Sequence, residues 1–270
     1  MSAADLYLEL MKKCLTFSLW DGRDGAFDQN LPATSLRRTL KKLIKRTRRD
    51  GSGGGQDLQS RMEGRDWPVL AHTMIGMKRL DNLQFCVESA LADNVPGDLI
   101  ETGVWRGGAT IFMRAILKAH GVTDRLVWVA DSFEGLPPPD PEKYPADAGD
   151  IHHLLEPLAI SQEQVKHNFE RYGLLDDQVG FLKGWFRETL PNAPIKRLAV
   201  MRLDGDMYES TMDALTNLYP RLSVGGFVVV DDFGAVPGCR RAIEDFREAE
   251  GITAKIQEID WSGVYWRRES

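Results

Sequence analysis

The chain has 270 residues, 43% hydrophobic and 27% charged, which is an ordinary globular composition with enough length to bury a full core. A formal net charge of −6 speaks against nucleic acid as a partner. The three cysteines, Cys14, Cys86 and Cys239, are odd in number and far apart; this excludes a disulfide framework or a cysteine zinc site and points to a reducing, cytoplasmic setting.

The opening MSAADLYLELMKK has no basic-then-apolar signal pattern, and no apolar run reaches the roughly 20 residues of a membrane span. Leu6, Leu10 and Cys14 recur at helical spacing and predict a short amphipathic helix over 3–17. A strongly basic helix is expected over 34–49, where LRRTLKKLIKRTRR interleaves Leu36, Leu40, Leu43 and Ile44. It runs into the glycine-rich linker Gly51–Gly55. A patch for an anionic partner is one meaning of this segment; a solvated helix face is the simpler one, and no function is assigned to it. Residues 1–66 are thus expected to form an N-terminal helical extension, and 67–270 the main domain.

From Trp67 the pattern is regular. A helix over 78–93 presents Leu80, Leu83, Val87, Ala90 and Leu91, and Pro96-Gly97 turns the chain into a short strand at 98–101. A Gly-rich turn, a helix over 109–119 and a strand over 125–131 follow. A long Pro- and Asp-rich loop then runs from Ser132 to about Ile160. Next come a helix near 161–172, strands at 178–183 and 196–204, and a helix near 208–221. A Ser-Val-Gly-Gly turn is expected to feed a strand over 227–231. A helix near 237–249 precedes two strand-like segments, 252–259 and 263–268, that form an antiparallel edge hairpin. Strands alternating with helices predict a doubly wound α/β fold, its sheet mostly parallel and covered on both faces.

Two clusters carry chemistry. Glu101-Thr102-Gly103-Val104-Trp105-Arg106-Gly107-Gly108 lies between a strand and a helix. There, glycines let backbone approach a ligand and amides collect at a helix N-terminus. The glycine spacing is not that of a dinucleotide site. Asp131, ending the next strand before Ser132, can accept ribose hydroxyls, and Trp185 after the third strand can stack on a base or simply fill the core. The second cluster is acidic: Asp204 and Asp206 close the fourth strand, Asp231 and Asp232 the fifth. Carboxylates converging on one sheet edge repel unless a cation neutralises them, and oxygen-only ligands favour Mg²⁺. Asp204, Asp231 and Asp232 are assigned to the metal and Asp206 to a general base that takes a hydroxyl proton; Asp204 and Asp206 can exchange roles. Asp150, His152 and His153 in the long loop are within reach of a substrate or of a second-base role, but two adjacent histidines in a polar loop read first as solvent-exposed and stay outside the catalytic set; His72 reads as structural and Tyr208 as a pocket wall.

At these residues the sequence resembles the macrocin O-methyltransferase family, through AHTMIG, GDLIETGVWRGGA, ADSFEGLP, RYGLLDDQV, GWFRETLP, LDGDMYEST, VDDFG and DWSGVYWRR. The resemblance implies a class I methyltransferase (Rossmann-like) fold. It also implies S-adenosylmethionine as donor, Mg²⁺ held by aspartates, a sugar hydroxyl of a glycosylated small molecule as acceptor, and a homo-oligomer. Carried over by position, the family's donor-binding residues match Thr73, Met74, Glu101, Gly103, Asp131, Ser132 and Trp185. Its metal ligands match Asp204, Asp231 and Asp232, and its base matches Asp206. Residues 33–59 look unlike the family's N-terminal region. Competing readings are the same chemistry on a phenol or catechol, a non-catalytic donor-binding assembly protein and, more weakly, a nicotinamide-dependent reductase.

Overall fold

The structure is a computed structural model that describes residues 1–20 and 58–270; the basic helix and glycine linker expected from the sequence lie outside the described residues. The first helix, α1 (Ala3–Leu15), starts at a capping box in which Ser2 Oγ accepts the Asp5 N–H at 3.1 Å and Asp5 Oδ2 accepts the Ser2 N–H at 2.7 Å. These two bonds satisfy donors that a helix start otherwise leaves unpaired. The buried face differs from the expected one. Leu8, Met11 and Leu15 turn inward, while Leu6 and Leu10 remain about half exposed. Both stripes have helical spacing, so periodicity finds the helix but only the packing partner chooses the stripe.

A short helix, α2 (Leu58–Glu63), follows the undescribed segment, and α3 (Met77–Ala92) leads into the sheet. The remaining elements are β1 (Asp98–Thr102), α4 (Gly108–Ala119), β2 (Val127–Asp131), α5 (Gln162–Arg171), β3 (Val179–Lys183), α6 (Phe186–Thr189), β4 (Leu198–Leu203), α7 (Tyr208–Leu218), β5 (Leu222–Val230), α8 (Pro237–Ala249), β6 (Gln257–Glu258) and β7 (Val264–Arg267). The seven strands pair in the order β3-β2-β1-β4-β5-β7-β6. The first five run parallel, while β7 is antiparallel to both β5 and β6. The order of strand addition reverses between β1 and β4, and this is the switch point at which open α/β sheets bind ligands.

Each sheet face carries its own core. One gathers Leu8 and Leu15 of α1, Leu80 and Leu83 of α3, and Phe112 of α4 with Phe169 of α5. The other gathers Leu215 of α7, Ile243 and Phe246 of α8, and the fully buried Trp266 of β7. The N-terminal helix therefore shares the core of the sheet. No helix among the described residues is long and apolar enough to cross a membrane.

Two expectations need correction. The Ser-Val-Gly-Gly segment is not a turn ahead of β5 but lies inside it. Pairing with β4 passes from Leu198↔Leu222 to Val200↔Phe227, so the extra residues form a bulge with Gly225 at φ +85°. The expected strand over 252–259 shortens to Gln257–Glu258, because Ile252, Ala254 and Ile256 pack into the α7–α8 core instead of pairing along an edge.

Because Leu8 is fully buried against this core, Leu8→Ala should cost about 2–5 kcal/mol of stability. Urea unfolding should show it as a shifted, still single transition. A loss below about 1 kcal/mol would mean that α1 rides on the domain without supporting it.

Candidate active site

The carboxyl ends of β1, β2, β4 and β5 converge on one edge. At β1, Gly103 holds φ +85°, and a Cβ there would sit 1.8 Å from the carbonyl oxygen of Asp204. At the start of α4, a Cβ on Gly108 would meet His72 O at 2.4 Å and Thr73 Cβ at 2.6 Å. The glycines of this turn thus make room first for the protein's own backbone: they let the acidic turn after β4 and the 71–74 segment close in on β1. From the sequence alone, that room is expected to serve a ligand.

Asp131, at the tip of β2, receives the Val104 N–H on Oδ2 and the Phe133 N–H on Oδ1, both at 2.7 Å. Ser132 Oγ also donates to Oδ1, at 3.4 Å. Burial pushes this carboxyl up, and the N–H groups of Phe133, Val104 and Trp105 with the Ser132 hydroxyl oppose the rise. An open cleft of about 730 Å³ lies beside it, lined by Met74, Gly103, Asp131, Ser132, Trp185 and Asp206 among others. Five of the seven proposed donor-binding residues meet there. The other two lie deeper. Thr73 is buried and its Oγ1 accepts the Ile75 N–H at 3.3 Å. Glu101 is buried beneath the turn, with Oε1 on Arg202 and Oε2 without a hydrogen-bond partner among the described residues.

The 71–74 segment owes its place to cations that sequence reasoning had not singled out. Arg106 donates to Val69 O at 2.7 Å and Ala71 O at 2.8 Å. Arg61 of α2 donates to Met74 O at 2.6 Å and Ile75 O at 2.9 Å. His72 is structural as expected: its Nδ1 lies 2.7 Å from Tyr172 Oη, and burial followed by Arg171 pushes its pKa down to about 4. Tyr208 starts α7 but does not line the cleft; its hydroxyl donates to Asp245 at 3.2 Å.

The acidic residues form one group. Asp204, Asp231 and Asp232 each place an oxygen within 4.8 Å of the others. Asp206, in the left-handed region at φ +56°, lies next to them and donates its N–H to Asp232 Oδ2 at 3.3 Å. Beneath runs a guanidinium network. Arg202, fully buried in β4, pairs with Glu101, with Asp204 at 2.7 Å and with Asp231. Arg79 of α3 takes the other oxygen of Asp231 and reaches Asp260 at 2.9 Å. Two guanidinium groups do not balance this many acids. Burial, with Asp204 and Asp231 nearby, raises Glu101 to about 8 against the pull of Arg202. Burial and Asp231 also raise Asp204, while burial followed by Asp206 and Asp204 raises Asp232 far more. Asp204, Asp231 and Asp232 could hold a hard divalent cation, for which oxygen ligands, close convergence and uncompensated negative charge are suited.

The long loop differs from its expected exposure. Asp150 and His152 are largely buried at 10% and 23% side-chain exposure, with His152 Nδ1 2.7 Å from Asp150 Oδ2.

A sheet ordered 3-2-1-4-5-7-6 with one antiparallel strand, a glycine turn after β1 and an acid ending β2 defines a class I S-adenosylmethionine-dependent methyltransferase. Residues 4–268 match the model of the macrocin O-methyltransferase family (TylF), and the chain belongs to that family. It is 56% identical over 98% of its length, and 93% of the relative's, to 8-demethyl-8-(2,3-dimethoxy-alpha-L-rhamnosyl)-tetracenomycin-C 4'-O-methyltransferase of Streptomyces olivaceus. It is 58% identical over 78% of its length, and 84% of the relative's, to mycinamicin III 3''-O-methyltransferase of Micromonospora griseorubida. Among solved structures it superposes on the O-methyltransferase NovP with a TM-score of 0.85 at 48% identity, covering 99% of this chain and all of that one. The protein is an S-adenosylmethionine-dependent O-methyltransferase.

The raised carboxyls give a pH test. Glu101 titrates near 8 when folded against an ordinary 4.5, so the folded chain takes up a proton in this interval that the unfolded chain does not. Its contribution is full below pH 4.5 and is lost as pH rises through 8. With a chelator present, the melting temperature should rise between pH 8.5 and pH 6, and Glu101→Gln should remove part of that rise. An equally steep rise in the variant would assign it to other groups.

Proposed function

We propose that the chain moves the methyl group of S-adenosylmethionine to a sugar hydroxyl of a glycosylated natural product, with Mg²⁺ at Asp204, Asp231 and Asp232 and Asp206 as general base. The observation that carries this reading is the convergence of three carboxylates, of which Asp204 lines the cleft that holds Asp131 and Trp185 while Asp231 and Asp232 lie buried behind it. The acceptor class is supported by the Streptomyces olivaceus relative, whose name carries a rhamnosyl group and a primed oxygen position, and by the double-primed position in the name of the mycinamicin relative.

Within this reading, the Asp131 carboxylate accepts the donor's ribose hydroxyls and Trp185 flanks the base. The unpartnered Oε2 of Glu101 supplies an acceptor to the donor's cationic end. Mg²⁺ supplies positive charge that lowers the pKa of a nearby hydroxyl, which otherwise holds its proton too tightly to attack. Asp206 takes that proton as the hydroxyl oxygen bonds the methyl carbon and the donor's sulfonium becomes a thioether. Burial, which raises the Asp206 carboxyl, brings its basicity closer to what proton abstraction near neutral pH needs. Arg202 and Arg79 keep the acids in register, so no reorganisation is needed when charge develops.

Asp206→Asn should lower kcat about 10²–10⁴-fold while calorimetry still shows adenosylhomocysteine binding. Mg²⁺ should give its own isotherm with wild type and none with the Asp231→Ala/Asp232→Ala double variant. Donor binding without any metal isotherm would leave the methyltransferase standing and remove the metal from it. Methylation of an aglycone in preference to its glycoside would overturn the acceptor assignment.

A further inference from the structure

One wall of the cleft beside Asp131 is a face of α7. Glu209, Ser210 and Asp213 all line the cleft, because positions three and four apart lie on the same side of a helix. The cleft is also lined by Trp185, just after β3, and by Phe186 and Arg187 of α6, which packs on α7. Glycine at 205 keeps two of these walls apart: a Cβ there would lie 3.1 Å from Ser210 Cβ and 3.5 Å from Phe186 Cε2. The polar groups on the helix face are not equally engaged. Glu209 is buried, and its Oε1 accepts a hydrogen bond from Arg187 Nη1 at 3.1 Å. Asp213 is half-buried, and its carboxylate has no hydrogen-bond or ion-pair partner among the described residues. Burial, with Glu209 nearby, raises it to about 6 against the pull of Lys143 and Arg187, so it is ionised at pH 7.5. The cleft therefore holds an aromatic wall, a hydroxyl and an unpaired carboxylate at one place.

Resting on the reading that Asp131 accepts the donor's ribose and Trp185 flanks its base, we propose that Asp213, with Ser210 beside it, is the specificity residue that reads the edge of the donor's adenine. Adenine presents an N–H donor at its 6-amino group with a ring-nitrogen acceptor next to it. A carboxylate only accepts, and a hydroxyl can donate, so Asp213 and Ser210 together complement that pattern. Asp213 takes the amino N–H, and Ser210 Oγ donates to the ring nitrogen. A base with a carbonyl at the same position would turn an oxygen lone pair onto an ionised carboxylate, which has no proton to offer it. The hydroxyl can rotate to suit either base, so the discrimination rests on Asp213. The acceptor hydroxyl must meet the acids at the end of β4, whereas Asp213 lies more than one turn into α7. Arg187 has its own part: by occupying Glu209 it leaves Asp213 as the unpaired carboxylate on this face.

The test is calorimetry at pH 7.5 on the full chain, with S-adenosylhomocysteine and S-inosylhomocysteine, which differ by an amine against a carbonyl at the 6 position. Wild type should bind the adenosyl compound about 10–100-fold more tightly, the usual worth of a hydrogen bond to a charged group. In Asp213→Asn, whose amide can donate to the carbonyl, that preference should fall within about threefold or reverse. The proposal requires a lost preference, not merely weaker binding. A variant that keeps the wild-type ratio, or that weakens both compounds by the same factor, overturns it. So does a variant that changes only the acceptor KM, which would place Asp213 on the acceptor side. If Asp213→Asn does not fold, Asp213→Ala decides by the same ratio. The underlying reading fails differently: wild type binding neither compound removes the donor from this cleft. Wild type binding both equally leaves the donor in place and overturns only the role of Asp213.

Discussion

A guanidinium buried in the fourth strand organises this molecule. Arg202 stands in an otherwise apolar strand, fully enclosed, and pairs with Glu101 of β1, Asp204 at its own strand end and Asp231 beyond β5. Removing one partner of such a buried pair commonly costs about 3–5 kcal/mol, because the remaining charge is left without solvent or counter-ion. Here one cation serves three carboxylates. It fixes the ends of three neighbouring strands relative to one another at the edge where donor and acceptor must meet. Arg79 extends the same device to α3 and to Asp260 in the β6–β7 turn. The edge is therefore both rigid and still negative, and a divalent cation with oxygen ligands suits that state.

Close backbone approach makes the donor side and the acidic side one site. Gly103 lets the chain after β1 touch the carbonyl of Asp204, and Gly108 lets the 71–74 segment lie on the start of α4. Any side chain at Gly103 would separate the donor turn from the acids. Distant residues complete the frame: Arg106 and Arg61 grip the backbone on either side of Thr73 and Met74. The carboxylate of Asp147, in the loop after β2, caps α7. Helix α2 and the long loop look peripheral in sequence, yet each presses a buried polar group onto the catalytic edge. The acidic edge thus has fixed cations beneath it in the strands and helices.

Much of this was legible before any coordinates. Nearly all helices and strands fall within a few residues of the ranges that periodicity gives. The strand-end positions of Glu101, Asp131, Asp204, Asp231 and Asp232 follow from those ranges. Arg202 was legible in principle, since a charged residue inside LAVMRLD has to find a buried partner, but nothing local says that the partners lie on three strands. Arg79 gave no signal at all: its bond to Asp231 spans 152 positions. The Ser-Val-Gly-Gly segment was misread because a tight turn and a strand bulge both call for glycine at positive φ. The exposed face assigned to His152 failed for a similar reason, since polar residues in a Pro-rich loop look solvated until a cap such as Asp147 folds them inward.

By itself, the sequence determined the fold class, the order of the elements and the set of acids that the carboxyl edge would carry. Those follow from periodicity and from the rule that parallel strands end on one side. Only the tertiary structure decided which stripe of α1 is buried, that the glycines of the first turn admit the chain's own backbone, and which cations hold the acids in place. These depend on contacts between residues tens to hundreds of positions apart, and local pattern carries no information about a partner that only folding brings near.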